Sequence, residues 1–411
     1  MRKLTVKNFS VIEDAELEFG KITVLIGPQA SGKSLLCKLA YFCGQAVPEL
    51  IESCFSQRLS FASLLFRIQN EFLEKFSEES WRNQNFLVVY VLDNFSVSFA
   101  KSSKQEKLSI SLQEGLRNFY SENLTGNRVI LPSGIRKQLL PKDTGPLPLV
   151  EDSTYVPTGR AFYSLPNRGY AALATKNLDW ITQLYASQFD AEYKALMKCY
   201  QSDLGALRAF GELVTTILKG KVIREEGRLL FESNQDIRKW PFEILSSGTL
   251  ELLPLINSLS QSIDKARYSN IPTMPAPPLG MFFIEEPELG VFPNTQNDLV
   301  RLLAWFANFD SLWLSYAITT HSPYILSAFN NLILAGQLGQ KAPLKKKIPI
   351  DEKYWIAPGT FKAYSIHDGK LESILSDSGL INGEYLDDVS ETIGHEFDEL
   401  LRLEYANQKV S

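Results

Sequence analysis

Four stretches of the chain carry side chains whose types and spacing suit the handling of a polyphosphate. The first is Gly27-Pro28-Gln29-Ala30-Ser31-Gly32-Lys33-Ser34, which follows the apolar run Ile22 to Ile26 and leads into Leu35-Leu36-Cys37-Lys38-Leu39-Ala40. Strand, glycine loop and helix start are the context in which G-x-x-x-x-G-K-[ST] cradles phosphate. Gly27 and Gly32 let the loop curl until main-chain N–H groups point inward, and the positive end of the next helix favours the same anion. Lys33 then reaches the β- and γ-phosphates, and the Ser34 hydroxyl ligates Mg2+.

The second stretch is an apolar run, Leu279 to Ile284, that ends in Glu285-Glu286. Where a strand ends the chain turns, so adjacent carboxylates can approach a γ-phosphate from different sides. One can hold Mg2+ through water while the other orients or deprotonates the attacking water. In the third, Ala317-Ile318-Thr319-Thr320 reads as a strand with His321 directly after it, placed to donate a hydrogen bond to the γ-phosphate. The fourth, Leu245-Ser246-Ser247-Gly248-Thr249-Leu250-Glu251, opens a helix whose serine cap and free N–H groups suit an anion.

The elements that must position these groups follow from periodicity. Leu4–Phe9 and Glu13–Phe19 read as strands preceding the loop strand. A helix is predicted from Lys33 to Cys43, ending ahead of Pro48. Residues 49–80 read as helical, with Leu59, Leu64, Leu65, Phe66, Ile68, Phe72 and Phe76 as an apolar stripe. Strands are expected at Phe86–Tyr90, Phe95–Ala100 and Leu108–Leu112. The 121–154 stretch, rich in Pro, Gly and Asp, reads as a loop with a short helix. Asn177–Lys219 reads as two or three helices, Lys221–Arg224 with Arg228–Glu232 as a hairpin, and Pro272–Pro278 as a linker.

With 411 residues and 45% hydrophobic content, the chain can bury a large core. A net charge of −5, from 42 basic and 47 acidic residues, argues against a surface that grips nucleic acid all over, while a local patch leaves nucleic acid open as a partner. Lys345-Lys346-Lys347 reads as a solvated turn. Cys37, Cys43, Cys54 and Cys199 lack metal-ligand spacing and read as reduced, buried thiols of a cytoplasmic protein. No signal peptide and no apolar run long enough for a membrane span are seen, so no membrane partner is expected. His367 and His395 read as surface residues.

Taken in order, the P-loop, Leu-Ser-Ser-Gly-Thr, hydrophobic-Glu-Glu-Pro-Glu and Thr-His-Ser-Pro resemble the ABC-type ATPase heads of the SMC-like group. The likeness is strongest to the AAA15/AAA21 branch, which holds the OLD proteins and the ATPases of antiphage systems such as Septu and PARIS. It runs from Leu4 to about Leu400, with Asp368-Gly369-Lys370 and Glu396–Leu400 similar to that branch's tail. The resemblance implies an α/β fold: a P-loop ABC-type ATPase head with an N-terminal β-rich lobe and a helical insertion carrying the signature loop. On this pattern residues 1–160 form the N-terminal lobe, 161–244 the helical insertion and hairpin, 245–350 the signature, Walker B and switch-histidine lobe, and 351–411 a completing tail.

Carried over by position, the resemblance makes Gly27, Ala30, Ser31, Gly32, Lys33 and Ser34 the nucleotide cradle. Glu285 becomes the metal acid and Glu286 the catalytic acid, Ser246, Ser247 and Gly248 the signature loop, and His321 the switch histidine. Arg160, in Tyr155-Val156-Pro157-Thr158-Gly159-Arg160, becomes a candidate near the site. The departures are Ser247 and Thr249 in place of the transporters' Gly and Gln, Glu285 in place of their Asp, and no histidine before Pro293. The implied cofactors are ATP and Mg2+. In the resembled fold the signature loop completes the site of a second subunit, so a homodimer or higher homo-oligomer, with ATP sandwiched between heads, is implied.

The OLD proteins carry a C-terminal nuclease domain; the residues after His321 show no matching cluster of acids in an α/β pattern. Effector chemistry is therefore expected from a separate protein, such as a nuclease, with this chain as the ATP-hydrolysing sensor or regulator of an antiphage complex. A stand-alone RecF-like repair ATPase and a nucleotide-bound scaffold with little turnover are the alternatives. DNA-stimulated turnover marks the first of these and near-absent turnover the second.

Overall fold

The computed structural model describes residues 2–120, 153–164, 178–269, 280–309 and 314–382, apart from 82–83, 94, 103–104, 114, 119, 204 and 237. The expected loop of 121–154 (apart from its last two residues), the Pro272–Pro278 linker, His395 and the Glu396–Leu400 tail lie outside the described residues.

Period-2 patterning near the N-terminus gives β1 (Arg2–Phe9), β2 (Ile12–Glu18) and β3 (Ile22–Ile26). After the glycine loop come α1 (Lys33–Tyr41), a π-helical segment Phe42–Ala46, α2 (Val47–Ser56) and α3 (Phe61–Lys75). The expected stop ahead of Pro48 does not occur. Pro48 sits in the first turn of α2, where its missing N–H would have no intrahelical partner in any case, so the helical path runs on. The expected apolar stripe is narrower than its sequence pattern: Leu64, Ile68 and Phe72 are buried on α3, whereas Phe66 is 63% exposed.

β4 (Phe86–Leu92), β5 (Phe95–Ser102) and β6 (Gln105–Leu112) extend the sheet on the side of β1. Next come β7 (Thr154–Val156) and α4 (Ala161–Ser164), then the helical tract resolved as α5 (Trp180–Gln188), α6 (Lys194–Gln201) and α7 (Gly205–Leu218). The expected hairpin is β8 (Gly220–Glu225) and β9 (Arg228–Ser233), joined by β10 (Lys239–Pro241) into a small separate sheet. The chain continues through α8 (Ser247–Ser269), β11 (Gly280–Glu285), α9 (Pro293–Ala307), β12 (Leu314–Thr320), α10 (Pro323–Gly339), the short α11 (Ala342–Lys345), β13 (Phe361–His367) and β14 (Lys370–Ser373).

Among the described residues one sheet of 11 strands runs β6-β5-β4-β1-β2-β14-β13-β3-β12-β11-β7. Its β6-β5-β4-β1-β2 flank is antiparallel, and β13, β3, β12, β11 and β7 are mutually parallel. Alternation along the parallel strands feeds two cores. Leu25, Met281, Phe283 and Ala317 face α1, α2 and α3, while Val24, Phe282, Ile284 and Ile318 face α8, α9 and α10. Because the parallel strands all end on one edge, the loops after β3, β12, β11 and β7 are gathered there, the usual place for a ligand in such sheets.

Pro254 lies inside α8 and cannot donate to the carbonyl of Leu250. The Ser164 hydroxyl supplies that bond at 2.7 Å, so α4 locks onto the first turns of α8. All four cysteines are buried and free, His367 is exposed, and the lysine cluster 345–347 is exposed. Among the described residues no helix is long and apolar enough to cross a membrane.

Candidate functional site

Register brings the chemistry to one level. Ile26 pairs with Thr320 and Thr319 with Glu285, so the ends of β3, β12 and β11 stand side by side. From β3 the chain enters the glycine loop. Gly27 has φ 155° and Gly32 φ 105°, and a Cβ on Gly32 would lie 2.3 Å from Ile12 Cδ1. The left-handed backbone and the close approach of the β1–β2 turn both demand glycine there. Lys33 then opens α1, with its side chain almost wholly buried. Its Nζ donates to the carbonyls of Gly27 and Pro28, each at 2.8 Å. Burial pushes the Lys33 pKa down, and the Glu286 and Glu288 carboxylates oppose that push.

A cavity of about 470 Å3 opens over this loop. It is lined by Ala30, Ser31, Gly32, Lys33 and Ser34 of the loop, by Glu286 and His321, and by Lys75, Phe76 and Trp180. Ser34 and Glu286 are oxygen donors of the kind that Mg2+ prefers, and the cationic loop with the N-terminus of α1 suits phosphate, so the residues present fit Mg2+ and a nucleoside triphosphate.

Glu286 and His321 meet inside this cavity, with Glu286 Oε1 3.3 Å from His321 Nε2. Glu286 has φ 41°, a left-handed value uncommon for a residue with a side chain. Its N–H donates to the Thr319 carbonyl at 2.8 Å. Glu288, two residues on, is buried and ties the β11 loop to the β12 loop. Its Oε1 accepts from Thr320 Oγ1 at 2.6 Å and from the His321 N–H at 2.9 Å. Sequence reading gave Glu288 no task of its own; the adjacent Glu-Pro-Glu spacing was the one available signal.

Glu285 behaves differently from its neighbour. Its carboxylate is buried on the α1 side of the sheet, where Oε1 accepts from the Tyr155 hydroxyl at 2.6 Å and Oε2 from the Thr158 N–H at 3.2 Å. It does not line the cavity. Burial raises the Tyr155 phenol well above its ordinary range, and the Glu285 charge adds to this, so Tyr155 remains the donor.

The signature segment also stands apart, since Ser246, Ser247 and Gly248 do not line the cavity over Lys33. Ser246 caps α8, accepting from the Thr249 N–H at 3.3 Å, and both serines are exposed. Gly248 backs onto Gly290, whose carbonyl oxygen would lie 2.4 Å from a Cβ at Gly248. Glu251, in the early turns of α8, turns inward. Its carboxylate accepts from the Arg160 main-chain N–H at 3.0 Å and, 3.6 Å from Nε, supplies a counter-charge to the buried guanidinium.

The family comparison bears on this region. Residues 22–327, well over half of the chain, match the model of the AAA_21 family, described as "AAA domain, putative AbiEii toxin, Type IV TA system". The chain belongs to this family. The match starts at the first residue of β3 and ends in α10, so every site residue named above lies within the AAA_21 region. With the parallel strand order around β3, it makes the molecule an α/β P-loop protein built on an AAA domain.

Solved structures similar to this AAA_21 chain include the SMC head domain from Thermotoga maritima, at 11% identity and TM-score 0.38, covering 91% of this chain and 98% of that one. An SMC head bound to the C-winged helix domain of ScpA is similar at 12% identity and TM-score 0.43, covering 92% and 98%. The recombination mediator RecF with ATPrS is similar at 11% identity and TM-score 0.38, covering 90% and 97%. No curated protein sequence matches the chain.

Proposed function

We propose that this AAA_21 protein binds and hydrolyses ATP with Mg2+ as a dimeric sensor or regulatory subunit of an antiphage defence complex, and that a separate effector such as a nuclease carries out the attack. The observation that carries the hydrolytic part is the Glu286–His321 pair, 3.3 Å apart in the cavity that Lys33 lines. A carboxylate there takes the proton of an attacking water, and the imidazole meets the γ-phosphate while fixing the carboxylate's direction. Lys33 exchanges its two loop carbonyls for phosphate oxygens, which are stronger, charged acceptors.

Ser34 would hold Mg2+ within the cavity, where the ion would neutralise charge on the phosphates. Glu285, whose oxygens Tyr155 and Thr158 already hold, would reach the metal only through water. Ser246, Ser247 and Gly248 act on the nucleotide of a second copy, a reading supported by the exposure of both serines and by none of the three lining the chain's own cavity. In this division residues 1–160 supply the nucleotide cradle, 161–244 the insertion, 245–350 the trans-acting loop and the catalytic acid, and 351–411 the completing tail.

The two-component setting is supported by the family's description as part of a type IV TA system. The deciding experiment measures phosphate release from Mg-ATP by purified protein beside its Glu286→Gln variant, and identifies co-purifying chains by mass spectrometry from the native host. No phosphate release above the Glu286→Gln background defeats the hydrolase reading. Recovery of the chain with no partner in any induced state defeats the regulatory one.

A further inference from the structure

Arg160 is fully buried, and its guanidinium is spent almost wholly on main-chain carbonyls. Nε donates to Glu251 O at 3.2 Å, Nη1 to Pro157 O at 3.0 Å and to Glu285 O at 2.5 Å, and Nη2 to Glu286 O at 3.0 Å. The Glu251 carboxylate lies 3.6 Å from Nε and also accepts the Arg160 main-chain N–H. One rigid fork thus joins three places: the end of β7, the early turns of α8 behind Ser246-Ser247-Gly248, and the carbonyls of both adjacent acids.

The contact to Glu286 matters most. Its N–H is held by the Thr319 carbonyl and its C=O by Arg160, so the residue is clamped on both sides in a left-handed conformation it would otherwise leave. That conformation aims the carboxylate at His321. The guanidinium must place its buried donors somewhere, and here two of the acceptors are the carbonyls of the adjacent acids Glu285 and Glu286.

We infer that Arg160 is a positioning residue for ATP hydrolysis. It fixes the backbone of Glu286 and ties that backbone to α8, so that the placement of the helix carrying Ser247 sets the aim of the general base. The inference rests on the reading of Glu286 as that base. Lysine cannot replace the fork, since three donors on a single nitrogen cannot span four carbonyls that Arg160 reaches from three nitrogens.

The test compares Arg160→Lys with the charge-repaired pair Arg160→Gln/Glu251→Gln, in which the amide introduced at position 251 keeps an acceptor for the main-chain N–H. Melting curves and binding of a fluorescent ATP analogue report folding and the intact P-loop; steady-state kinetics report the rest. The expected result is a kcat lowered by about 10–100-fold, as for a catalytic group displaced by a fraction of an ångström to one ångström, with KM within about threefold. In a Glu286→Gln background the same change at Arg160 should cost nothing more, because a positioning residue acts only through the group it positions. If Arg160→Lys melts below the assay temperature, the charge-repaired pair is read in the same way. A folded variant with parental kcat overturns the inference, as does a full additional loss on top of Glu286→Gln. If Glu286→Gln alone keeps the parental rate, the hydrolytic reading itself has failed, whatever Arg160 does.

Discussion

Gly248 and Gly290 are packed backbone to backbone, so closely that a single methyl on Gly248 would sit 2.4 Å from the Gly290 carbonyl oxygen. The start of α8 is therefore seated against the loop that follows Glu286. Gly248 serves its own chain here, whatever it does for another.

Gly248→Ala should lower stability by about 1–3 kcal/mol, the usual cost of overpacking against unyielding backbone. Ser247→Arg, on the exposed side of the same turn, should melt with the parent yet lose most ATP hydrolysis. Thermal denaturation and phosphate release on both variants check this. An unchanged melting point for Gly248→Ala would mean that the two loops are not seated as described.

The trans reading predicts complementation. Mixing Ser247→Arg chains with Lys33→Ala chains creates dimers in which one site carries both lesions and the other carries neither. Activity should return once subunits exchange, and tagged chains that co-purify show that exchange. Exchange without any recovered activity would point to a signature loop working in cis, or to sites that must fire together.

Glu286→Gln should leave ATP bound and cut hydrolysis by about 10²–10⁴-fold, since the amide keeps the size but cannot take a proton. His321→Ala should cost less, because the carboxylate remains, held by Thr319 and Arg160 through the main chain. Single-turnover rates rank the two variants, and a larger loss at His321 than at Glu286 would reverse the assignment of base.

Lys33→Ala removes charge-assisted hydrogen bonds worth about 1.5–3 kcal/mol each, so ATP affinity should fall by tenfold or more. Chelation of Mg2+ should stop hydrolysis in the parent. Calorimetric titration with ATP, with and without a chelator, gives both numbers, and parental affinity in Lys33→Ala would exclude the P-loop assignment.

Alkaline conditions should weaken the fold. Burial raises the Cys37 and Cys43 thiols above their ordinary 9.0, pushes Cys199 up to about 12 and Tyr163 up to about 12, and holds Tyr155 and Tyr316 well above 10.0. The folded chain keeps those protons while the unfolded chain sheds them, so the folded state binds more protons and stability falls as pH rises. The fall should begin near pH 9.0, where free thiols ionise, and steepen past pH 10.0 as free phenols follow, with each group contributing up to about 1.4 kcal/mol per pH unit. Urea midpoints on either side of these values test it; a midpoint that rises with pH contradicts the burial of these groups.

The P-loop, Glu286 and His321 were legible in the sequence as strand ends that meet at one cavity, whereas Glu285, read as the metal acid, is turned away from it. The partners of those residues were not legible. Tyr155 meets Glu285, and Arg160 meets Glu251 and Glu286, across stretches of chain that no local pattern spans. The inward turn of Glu251 was hidden for the same reason, since the charge it answers sits on another element. The α3 stripe was overread at Phe66 because apolar type alone cannot say which side of a helix the core lies on. At Pro48 the rule that proline stops a helix yielded to a new first turn that needs no donor.

The strand beneath the phosphate loop has an unusual ancestry along the chain. β3 is made of residues 22–26, yet its two neighbours are β12 and β13, which come from 314–320 and 361–367. During synthesis Lys33 leaves the ribosome long before either flank of its supporting strand exists. A nascent chain thus has no seat for nucleotide until β13 has emerged, and sheet pairing at such separation is slow to form. Proteolysis or a premature stop between β12 and β13 would strip one flank from β3 and silence the loop while leaving every motif residue intact.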